Sequence, residues 1–395
     1  MLIELHILQN HSPSNLNRDE DGSPKTAIFG GVPRARISSQ CIKRSIRRSE
    51  LFANSDFELA MRTRRLPELV RKRLLERGYS EELADIGASK ASGFGKKDGR
   101  VEKPNADTNE VATAQTMLLS DADIAAVTDA IAKVIEASGR DPKKTAKDLD
   151  IEKLQKDKSL CSFRPITVDT ALFGRMVTSD VFRDVDAAMQ VAHAISTHRV
   201  EGEYDYFTAV DDLQDRTTND NLGADMIGDV EFNSACYYKY FSLDVGELCA
   251  NLTGEKPYGR SVTAGEKESA QKTSRKAIES FIRASAMVTP SGKQNTFAAH
   301  QVPSLILIEV RPDNTPISYA NAFVKPVNER AGVSLVDASI RELGTHAEKL
   351  STAFNLASTL RLYLEPVSDA FECKGVERVG DLSKLIKRVT ETMYA

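Results

Sequence analysis

Apolar and polar residues alternate at the amino end of the chain. The stretch Leu2–Leu8 reads LIELHIL, with Glu4 and His6 at the polar positions. Successive side chains of a strand point to opposite faces, so this period of two predicts a half-buried β-strand. The polar residues of Asn10–Pro24 predict a loop after the strand.

A turn and a helix are predicted next. The glycine pair at 30–31 and the nearby Pro33 are typical of a turn, and a proline disfavours a helical conformation in the residue before it. Ser38 and Ser39 are candidate N-caps, because a serine hydroxyl can accept a hydrogen bond from a free N–H of the first helical turn. The helix is predicted to end near Phe52.

Helical patterns dominate from about residue 56 to residue 160. The predicted helices are Arg62–Arg77, Ala112–Leu119 and Asp121–Ala137. Asp121 is the candidate N-cap of the last one. Gly87–Asn105 is rich in glycine and lysine and predicts a mobile loop between them.

Predicted strands and helices then alternate as far as Val310. They are a strand at Ile166–Leu172, a helix at Val185–His198, a strand at Val230–Val245, a helix at Ala264–Met287 and a strand at Ser304–Val310. This order predicts an α+β fold, in which helices cover one antiparallel sheet. A length of 395 residues exceeds the usual size of a single core, so two or more folded units are expected.

Composition narrows the class of protein. A chain with 41% hydrophobic and 28% charged residues is neither disordered nor collagen-like. Its apolar runs are far shorter than the ~20 residues of a membrane-spanning helix, and its N-terminus lacks the features of a secretion signal. The five cysteines are scattered without CxxC spacing, which predicts free thiols, no zinc site and a cytoplasmic protein.

The net charge of −4 conceals a strong asymmetry along the chain. Residues 25–49 contain seven basic residues and no acidic residue, whereas residues 199–232 contain ten acidic residues and two basic ones. Since a polyanion responds to local charge, the first segment predicts a nucleic-acid contact that the total charge alone would not suggest.

The predicted helix after Ser38 is amphipathic. On a helical wheel Gln40, Arg44 and Arg47 share one face, and Ile42 and Ile46 lie opposite. An apolar stripe would attach the helix to a core, while its reverse side presents guanidinium groups, whose planar fork suits phosphate. A solvated surface helix is the alternative, but such a helix usually mixes acidic residues among the basic ones.

Three further segments are candidates for binding. The loop Thr289–Thr296 offers Lys293 and Gln294 to a nucleic acid, although it is equally compatible with an ordinary turn. The aromatic rings of Tyr206 and Phe207 need a partner, which can be the same chain, another chain or an unstacked base. A basic run in the helical region is either a solvated face or a contact to duplex DNA; it consists of Lys143, Lys144 and Lys147.

No catalytic centre, metal site or cofactor site is predicted. His193 and His198 are five residues apart, which does not place them together on a helix as metal ligands. The glycine-rich stretch 93–99 misses the dinucleotide-binding spacing by one residue. His11 could act as a general acid, but the sequence shows no partner base.

Several ordered motifs resemble the Cascade backbone subunit, the CasC family of type I-E CRISPR systems. They are HSPSNLNRD (11–19), AIFGG (27–31), RISSQ (36–40), ALFGRM (171–176), AHAISTH (192–198), FTAVDDLQ (207–214), GKQ (292–294) and ANAF (320–323). The matches span 1–52, 163–245 and 288–325. The resemblance implies a hand-like molecule with an RRM-like (ferredoxin-like) palm formed by 1–54, 163–198 and 230–395. It also implies a helical fingers insertion at 55–162 and a thumb hairpin at 199–229.

The resemblance also implies partners and roles. The partners would be CRISPR guide RNA, target DNA paired to that guide, neighbouring copies arranged head to tail and other Cascade subunits, with no membrane. Met176 matches a residue wedged near a displaced base, and Tyr206 and Phe207 fall in the thumb. The RNA-binding set carried over to the palm is Arg18, Lys25, Arg36, Ser38, Gln40, Lys43, Arg44, Arg47, Lys293 and Gln294, while Lys143, Lys144 and Lys147 are candidates for DNA contact.

The sequence therefore predicts a non-catalytic guide-RNA-binding backbone subunit. A subunit that holds any guide must grip the sugar-phosphate backbone and leave the base edges free, which suits arginines and apolar wedges. The alternative is a metal-independent endoribonuclease of the related RRM-like group, which would process CRISPR repeat RNA with His11 as its acid or base.

Overall fold

The structure is a computed structural model that describes residues 1–53, 57–108, 110–179, 181–209, 226–328 and 332–393. The chain divides into two compact units. Unit one comprises Met1–Ser55, Gln190–Asp244 and Ile278–Ala395, and unit two comprises Asp56–Met189 and Val245–Ala277.

Most described strands belong to one large sheet, and two form a small separate one. The strands are β1 Leu2–Ser14, β2 Thr26–Phe29, β3 Val32–Ile37, β4 Met61–Thr63, β5 Met117–Leu119, β6 Met189–Val191, β7 Ala194–Ser196, β8 Glu203–Ala209, β9 Met226–Asp244, β10 Leu305–Arg311, β11 Leu360–Leu364 and β12 Glu377–Arg378. The large sheet has the order β12-β11-β10-β1-β9-β7-β3-β2, β6 and β8 also pair with β9, and β4 pairs with β5.

Helices occur in both units. They are α1 Ser39–Arg48, α2 Glu50–Ala53, α3 Leu66–Glu76, α4 Glu81–Ala91, α5 Asp121–Ala137, α6 Pro142–Asp148, α7 Ile151–Gln155, α8 Val168–Phe173, α9 Val245–Thr253, α10 Glu255–Tyr258, α11 Ala264–Met287, α12 Gln294–Phe297, α13 Leu335–Ala353 and α14 Leu382–Thr392. Two short 3-10 turns cover Ser92–Gly95 and Ala320–Phe323. The structure combines helices with a large, mostly antiparallel sheet, which confirms the predicted α+β class.

Strand β1 lies in the middle of the large sheet. It pairs antiparallel with β10 from Leu2 opposite Arg311 to Leu8 opposite Leu305, and antiparallel with β9 on its other side. Every residue of Leu2–Gln9 is buried, including Glu4 and His6. The prediction of a half-buried strand was wrong in this respect, because both faces of the sheet are covered. The strand also continues to Ser14, into the predicted loop.

Two layers of side chains cover the sheet within unit one. Leu8 and Tyr238 share one apolar cluster with Leu343 of α13. The Phe241 ring packs against the Phe281 ring of α11, with 5.4 Å between the centroids. The predicted strands at 230–245 and 304–310 and the predicted helix Ala264–Met287 are confirmed as β9, β10 and α11.

Unit two has its own apolar core. Leu74 of α3, Leu83 of α4 and Ile131 of α5 are buried in one cluster. A Cβ on Gly87 would lie 2.6 Å from the Leu74 side chain, so this glycine allows α4 to pack closely against its neighbours. The predicted loop Gly87–Asn105 therefore starts too early, because Gly87 serves packing within a helix rather than a turn.

Three predicted elements in or beside unit two were wrong. Ala112–Leu119 is not a helix but ends in β5, and the N-cap of α5 is Ser120 rather than Asp121. Ile166–Leu172, predicted as a strand, contains α8, whose first five residues are all buried. Val185–His198, predicted as a helix, contains β6 and β7. Its residues pair with neighbouring strands, and this pairing outweighs the helical spacing of its apolar residues.

Candidate nucleic-acid interface

The β2–β3 hairpin and α1 carry most of the basic residues of 25–49. Gly30 and Gly31 have φ of +62° and +79°, so the strands join through a tight turn that glycine adopts without strain. The backbone N–H of Ser38 donates to Asn17 Oδ1 at 2.8 Å. Ser38 Oγ accepts from the N–H of Cys41 at 3.3 Å, which confirms Ser38 as the N-cap of α1.

Helix α1 is amphipathic as predicted. Ile42 and Ile46 are buried, while Gln40 and Arg44 are exposed and Arg47 is half-buried. The apolar stripe anchors the helix and leaves its opposite side to solvent. Ser38 itself is buried at the cap, so its hydroxyl is occupied within the chain.

Backbone hydrogen bonds hold the basic side chains of different segments close together. The N–H of Lys25 donates to Asn17 O at 2.9 Å, and that of Arg36 donates to Lys25 O at 2.8 Å. Since Asn17 also holds the start of α1, the loop after β1, the hairpin and the helix form one region. We call it the basic surface; it comprises Arg18, Lys25, Arg36, Lys43, Arg44 and Arg47.

Positive charge on the basic surface is largely uncompensated. Among the described residues, no carboxylate forms an ion pair with Arg18, Lys25, Arg36, Lys43 or Arg44. Arg36 Nη1 lies 3.3 Å from His193 Nδ1. Burial, together with the charges of Arg36 and Lys25, lowers the pKa of His193, and burial lowers the pKa of Lys43. Such a surface attracts a polyanion.

Arg34 belongs to the same sequence segment but not to its surface. Its side chain is fully buried, and it donates to four carbonyl oxygens: Phe29 at 3.2 Å, Ser196 at 3.1 Å, Phe323 at 2.7 Å and Val324 at 3.3 Å. Counting Arg34 among the charges that attract a polyanion was wrong. The guanidinium ties the hairpin to β7 and to the Ala320–Phe323 turn instead.

The loop that carries Lys293 packs beside the basic surface. A Cβ on Gly292 would lie 2.5 Å from Leu16 O, so the loop lies directly against the segment that follows β1. Lys293 is half-buried with a φ of +50°. Gln294 donates from Nε2 to Pro290 O at 2.9 Å, and its Oε1 is buried without a hydrogen-bond partner. Gln294 therefore stabilises its own turn, and Lys293 follows the glycine that packs against the segment after β1.

His11 lies inside the protein. Its side chain is 3% exposed, and Nδ1 is 3.2 Å from Gln301 Oε1. Burial, with the charge of Lys239, lowers the pKa of His11 to about 4. Lys239 is buried as well, donates to Gln9 Oε1 at 2.6 Å and to Ser285 O at 2.8 Å, and has its pKa lowered by burial to about 7.

The β8–β9 ribbon separates two aromatic residues that the sequence places side by side. Tyr206 is opposite Asp229 and Phe207 is opposite Gly228, so the two rings point to opposite faces. Phe207 lies against Gly228, where a Cβ would come within 2.7 Å of its ring. Tyr206 shares its face with Tyr204 and Ile227, and these three side chains are 65%, 66% and 62% exposed.

Part of the predicted thumb falls outside the described residues. Of the segment 199–229, residues 210–225 are not described, and these include Asp211, Asp212, Asp215, Asp220 and Asp225. The ribbon that is described carries Asp229 and Glu231 on the Tyr206 face. Its open face is therefore both apolar and acidic.

Two candidates lie in unit two. Met176 is 89% exposed, in the segment that follows α8. Helix α6 buries Thr145 and presents exposed lysines, and within the described residues none of these forms an ion pair; they are Lys143, Lys144 and Lys147.

A charged cluster is buried under the centre of the large sheet. Glu4, His6 and Glu309 bring ligand atoms within 4.8 Å of one another, the spacing of a possible metal site. Arg311 donates to Glu4 at 2.5 Å and to Glu309 at 2.7 Å, and Arg361 donates to Glu309 at 2.6 Å. Because two guanidinium groups already balance the two carboxylates, these residues fit an ion-pair cluster better than a dication site.

His6 completes this cluster as a neutral residue. Its Nδ1 is 2.9 Å from the Tyr238 hydroxyl and its Nε2 is 3.8 Å from Glu309. Burial lowers the pKa of His6 to about 4, although the nearby Glu309 opposes this shift.

The sequence model of the CT1975-like protein family matches residues 3–389. The chain belongs to this family. No curated protein matches the sequence significantly.

Members of solved CRISPR complexes are similar to this chain over essentially its full length. A chain of a structure described as "CRISPR RNA-guided surveillance complex, pre-nicking" is 30% identical, with a TM-score of 0.80 and 100% coverage of both chains. A chain of a "CRISPR RNA-guided surveillance complex" is 26% identical, with a TM-score of 0.71, and the match covers 99% of this chain and 100% of that one. The resemblance to Cascade-type CRISPR subunits is confirmed, and the type I-E subtype stays a prediction.

The sequence did not indicate some residues that the structure singles out. Tyr204 and Ile227 join Tyr206 on the exposed face of the ribbon. The alternation in EYDYFTA was the available signal for Tyr204, whereas Ile227 is placed there only by strand pairing. Among the described residues, no helix is both long and apolar enough to cross a membrane.

Proposed function

We propose that the chain is a non-catalytic subunit of an RNA-guided CRISPR complex. In that complex it binds the sugar-phosphate backbone of the guide RNA. The observation that carries the proposal is the basic surface, where the described residues provide no carboxylates to neutralise Arg18, Lys25, Arg36, Lys43 and Arg44. The similar chains in RNA-guided surveillance complexes support the same function.

The chemistry of the basic surface suits phosphate rather than base edges. Guanidinium and ammonium groups bind a sugar-phosphate backbone regardless of sequence, which a subunit that accepts any guide requires. Gln40 is exposed and Lys293 is half-buried, so both side chains are available to extend the contact region. The guide held in this way keeps its bases available for pairing with target DNA.

Assembly is the second part of the proposal. The resemblance to the CasC family implies an RRM-like palm, helical fingers at 55–162 and a thumb at 199–229. It also implies that the protein is part of a type I-E complex in the cytoplasm. The fingers segment falls almost entirely in unit two and the thumb in unit one. Copies would polymerise head to tail along the guide as a helical filament, because the acidic, apolar face of the ribbon complements the basic surface of a neighbouring copy. Other Cascade subunits would complete the complex.

Individual roles follow from this assignment. Met176, with its 89% exposed side chain, would wedge beside a displaced guide base. Tyr206 would face the RNA or a neighbouring copy, while Phe207 supports the ribbon from its other face. The exposed lysines of α6 would contact target DNA through its phosphates.

A charge reversal tests the proposal. Arg44→Glu with Arg47→Glu should abolish guide binding and filament assembly, because the helix would then repel phosphate. The salt dependence of wild-type binding should show a slope of about −3 in log K against log salt if each copy neutralises about four phosphates. Filter binding and gel filtration with a guide RNA provide both measurements.

The matched control reverses two charges elsewhere. Lys384→Glu with Lys387→Glu alters α14, where both lysines already pair with carboxylates and both are well exposed. This variant should bind the guide as the wild type does. Equal loss of binding in both variants, or a salt slope near zero, would contradict the proposal.

The endoribonuclease alternative can be tested with the same preparation. Burial of His11 and its low pKa support a structural histidine, since a general acid must hold a proton and reach its substrate. Cleavage of precursor CRISPR RNA by the wild type that disappears in His11→Ala would favour the enzyme instead.

A further inference from the structure

Met176 stands out in unit two because its neighbours are fixed while its own side chain is 89% exposed. Met176 lies in the segment 174–179. The segment begins at Gly174, which ends α8 with a φ of +81° and whose N–H donates to Thr170 O at 2.9 Å. A Cβ at Gly174 would lie 3.0 Å from Val185 O, so the chain passes close to the next segment here.

Arg175 is held through both its backbone and its side chain. Its N–H donates to Val185 O at 2.9 Å, and its carbonyl accepts from Val185 N at 2.8 Å. The buried guanidinium donates from Nη1 to Asp123 Oδ2 at 2.8 Å and from Nε to Arg183 O at 3.0 Å. The residue immediately before Met176 thus has five anchoring contacts when a longer one to Leu118 O at 3.3 Å is included.

Asp123 connects this anchor to the core of unit two. It belongs to the capping box of α5, in which Ser120 and Asp123 bond each other's backbone N–H. Its other carboxylate oxygen accepts from Arg164 at 2.8 Å. Burial acts to raise the pKa of Asp123, but Arg175 and Arg164 outweigh it, so the pKa is lowered and the carboxylate stays charged.

The residues after Met176 are fixed as well. The N–H of Val177 donates to Asp184 Oδ1 at 2.7 Å. Thr178 Oγ1 lies 3.3 Å from Gly95 O, and Ser179 Oγ donates to Gln155 Oε1 at 2.7 Å. Anchors on both sides leave Met176 as the large apolar side chain that this segment presents to solvent.

We propose that 174–179 is a rigid mount for Met176, and that Arg175 and Asp184 are positioning residues that hold this thioether for insertion beside a nucleobase. The inference rests on the proposed function and adds to it the residues that act through Met176. A methionine whose backbone is fixed before binding loses less conformational freedom when its side chain separates two stacked bases. An exposed apolar side chain also gains favourable burial there.

Asp184→Ala is the most selective test, because Asp184 is exposed and its carboxylate fixes the mount from outside the core. Guides that carry 2-aminopurine at successive positions report base unstacking as peaks of fluorescence. Loss of one hydrogen bond lowers the ratio of fixed to free conformer about fivefold. The peaks should therefore fall clearly in Asp184→Ala, while guide affinity stays within about twofold because the basic surface is unchanged.

Two variants distinguish positioning from a general effect of charge. Asp184→Asn keeps an oxygen that can accept from Val177 N and should restore the peaks. Asp186→Ala removes a carboxylate two residues away that pairs with Lys256 and does not bond the mount, so its peaks should match the wild type. Arg175→Lys should lower the peaks as Asp184→Ala does, since an ammonium cannot reach the same acceptors, and thermal unfolding checks that each variant is folded.

The outcomes separate the inference from the proposed function. If Met176→Ala removes the peaks but Asp184→Ala and Arg175→Lys keep them, the mount is overturned and the wedge stands. If Met176→Ala keeps the peaks, Met176 is not the wedge and the inference fails with it. If the wild type does not bind guide RNA at all, the proposed function itself fails.

Discussion

Unit one contains two groups of charges with opposite surroundings. Under the sheet, Glu4 and Glu309 face Arg311 and Arg361, and all four are buried or nearly so. On the basic surface, Arg44 is exposed and Arg36 and Lys43 are half-buried, and none of these three pairs with a carboxylate among the described residues. A buried charge needs a partner of opposite sign, whereas a solvated charge is stable without one and stays available to bind a ligand.

This difference separates stability from binding. A change in the buried cluster leaves a charge without a partner in a medium of low polarity, so it acts on folding. A change on the basic surface alters a solvated charge, so it acts on the affinity for a polyanion and hardly on folding. Three measurements test this division, beginning with the largest expected effect.

Glu309→Gln should destabilise the protein most. It removes the carboxylate that accepts from both Arg311 and Arg361, and breaking a buried ion pair typically costs about 3–5 kcal/mol. Urea unfolding gives the free energy directly. Glu348→Gln, which removes a partner of the exposed Lys374, is the control and should cost less than about 1 kcal/mol. Similar losses for both variants would refute the division.

Arg34→Met and Arg44→Met compare two arginines of the same sequence segment. Arg34→Met leaves four carbonyl oxygens without their donor and should cost about 3 kcal/mol of unfolding free energy. Arg44→Met should change stability by less than about 0.5 kcal/mol and weaken guide binding. The paired measurement is urea unfolding with filter binding, and a stable Arg34→Met variant would show that the hairpin needs no such tie.

Acid should weaken folding through two buried histidines. His6 and His11 have pKa values of about 4 in the folded protein, against 6.5 when unfolded, so the unfolded state binds protons first as the pH falls. Their stabilising contribution is complete above pH 6.5 and is lost toward pH 4. Between pH 7 and pH 5 each should remove about 2 kcal/mol.

A histidine substitution isolates this effect. His11→Gln should reduce the loss of stability between pH 7 and pH 5 by the share of one histidine, measured by urea unfolding at both pH values. His300→Gln, which changes an exposed histidine, should leave that loss as it is in the wild type. An unchanged pH dependence in His11→Gln would mean that this imidazole is protonated in the folded protein.

The candidate site was only partly predictable. The amphipathic pattern of α1 and its serine cap depend on residues three or four apart, so the sequence predicted which side of the helix faces solvent. The burial of Arg34 could not be predicted in the same way. Its acceptors Ser196 and Phe323 lie more than 150 residues away along the chain, and only the folded sheet brings them to the hairpin.

The ribbon shows the same limit at shorter range. The sequence indicated an aromatic pair at 206–207, but the alternation of strand side chains places the two rings on opposite faces. Pairing with β9 then places Ile227 on the same face as Tyr206. The contacts of Asp123 and Asp184 that hold the backbone beside Met176 likewise could not be predicted from the sequence.

Local patterns in the sequence alone determined β1, α1, α11 and β10, and its ordered motifs indicated the family. Tertiary structure decided which charges are buried in pairs and which remain in water, and it made α8 a helix and β6 and β7 strands against their local patterns. The physical reason is that burial and strand pairing depend on partners distant in sequence, whereas a cap or an amphipathic turn is complete within a few residues.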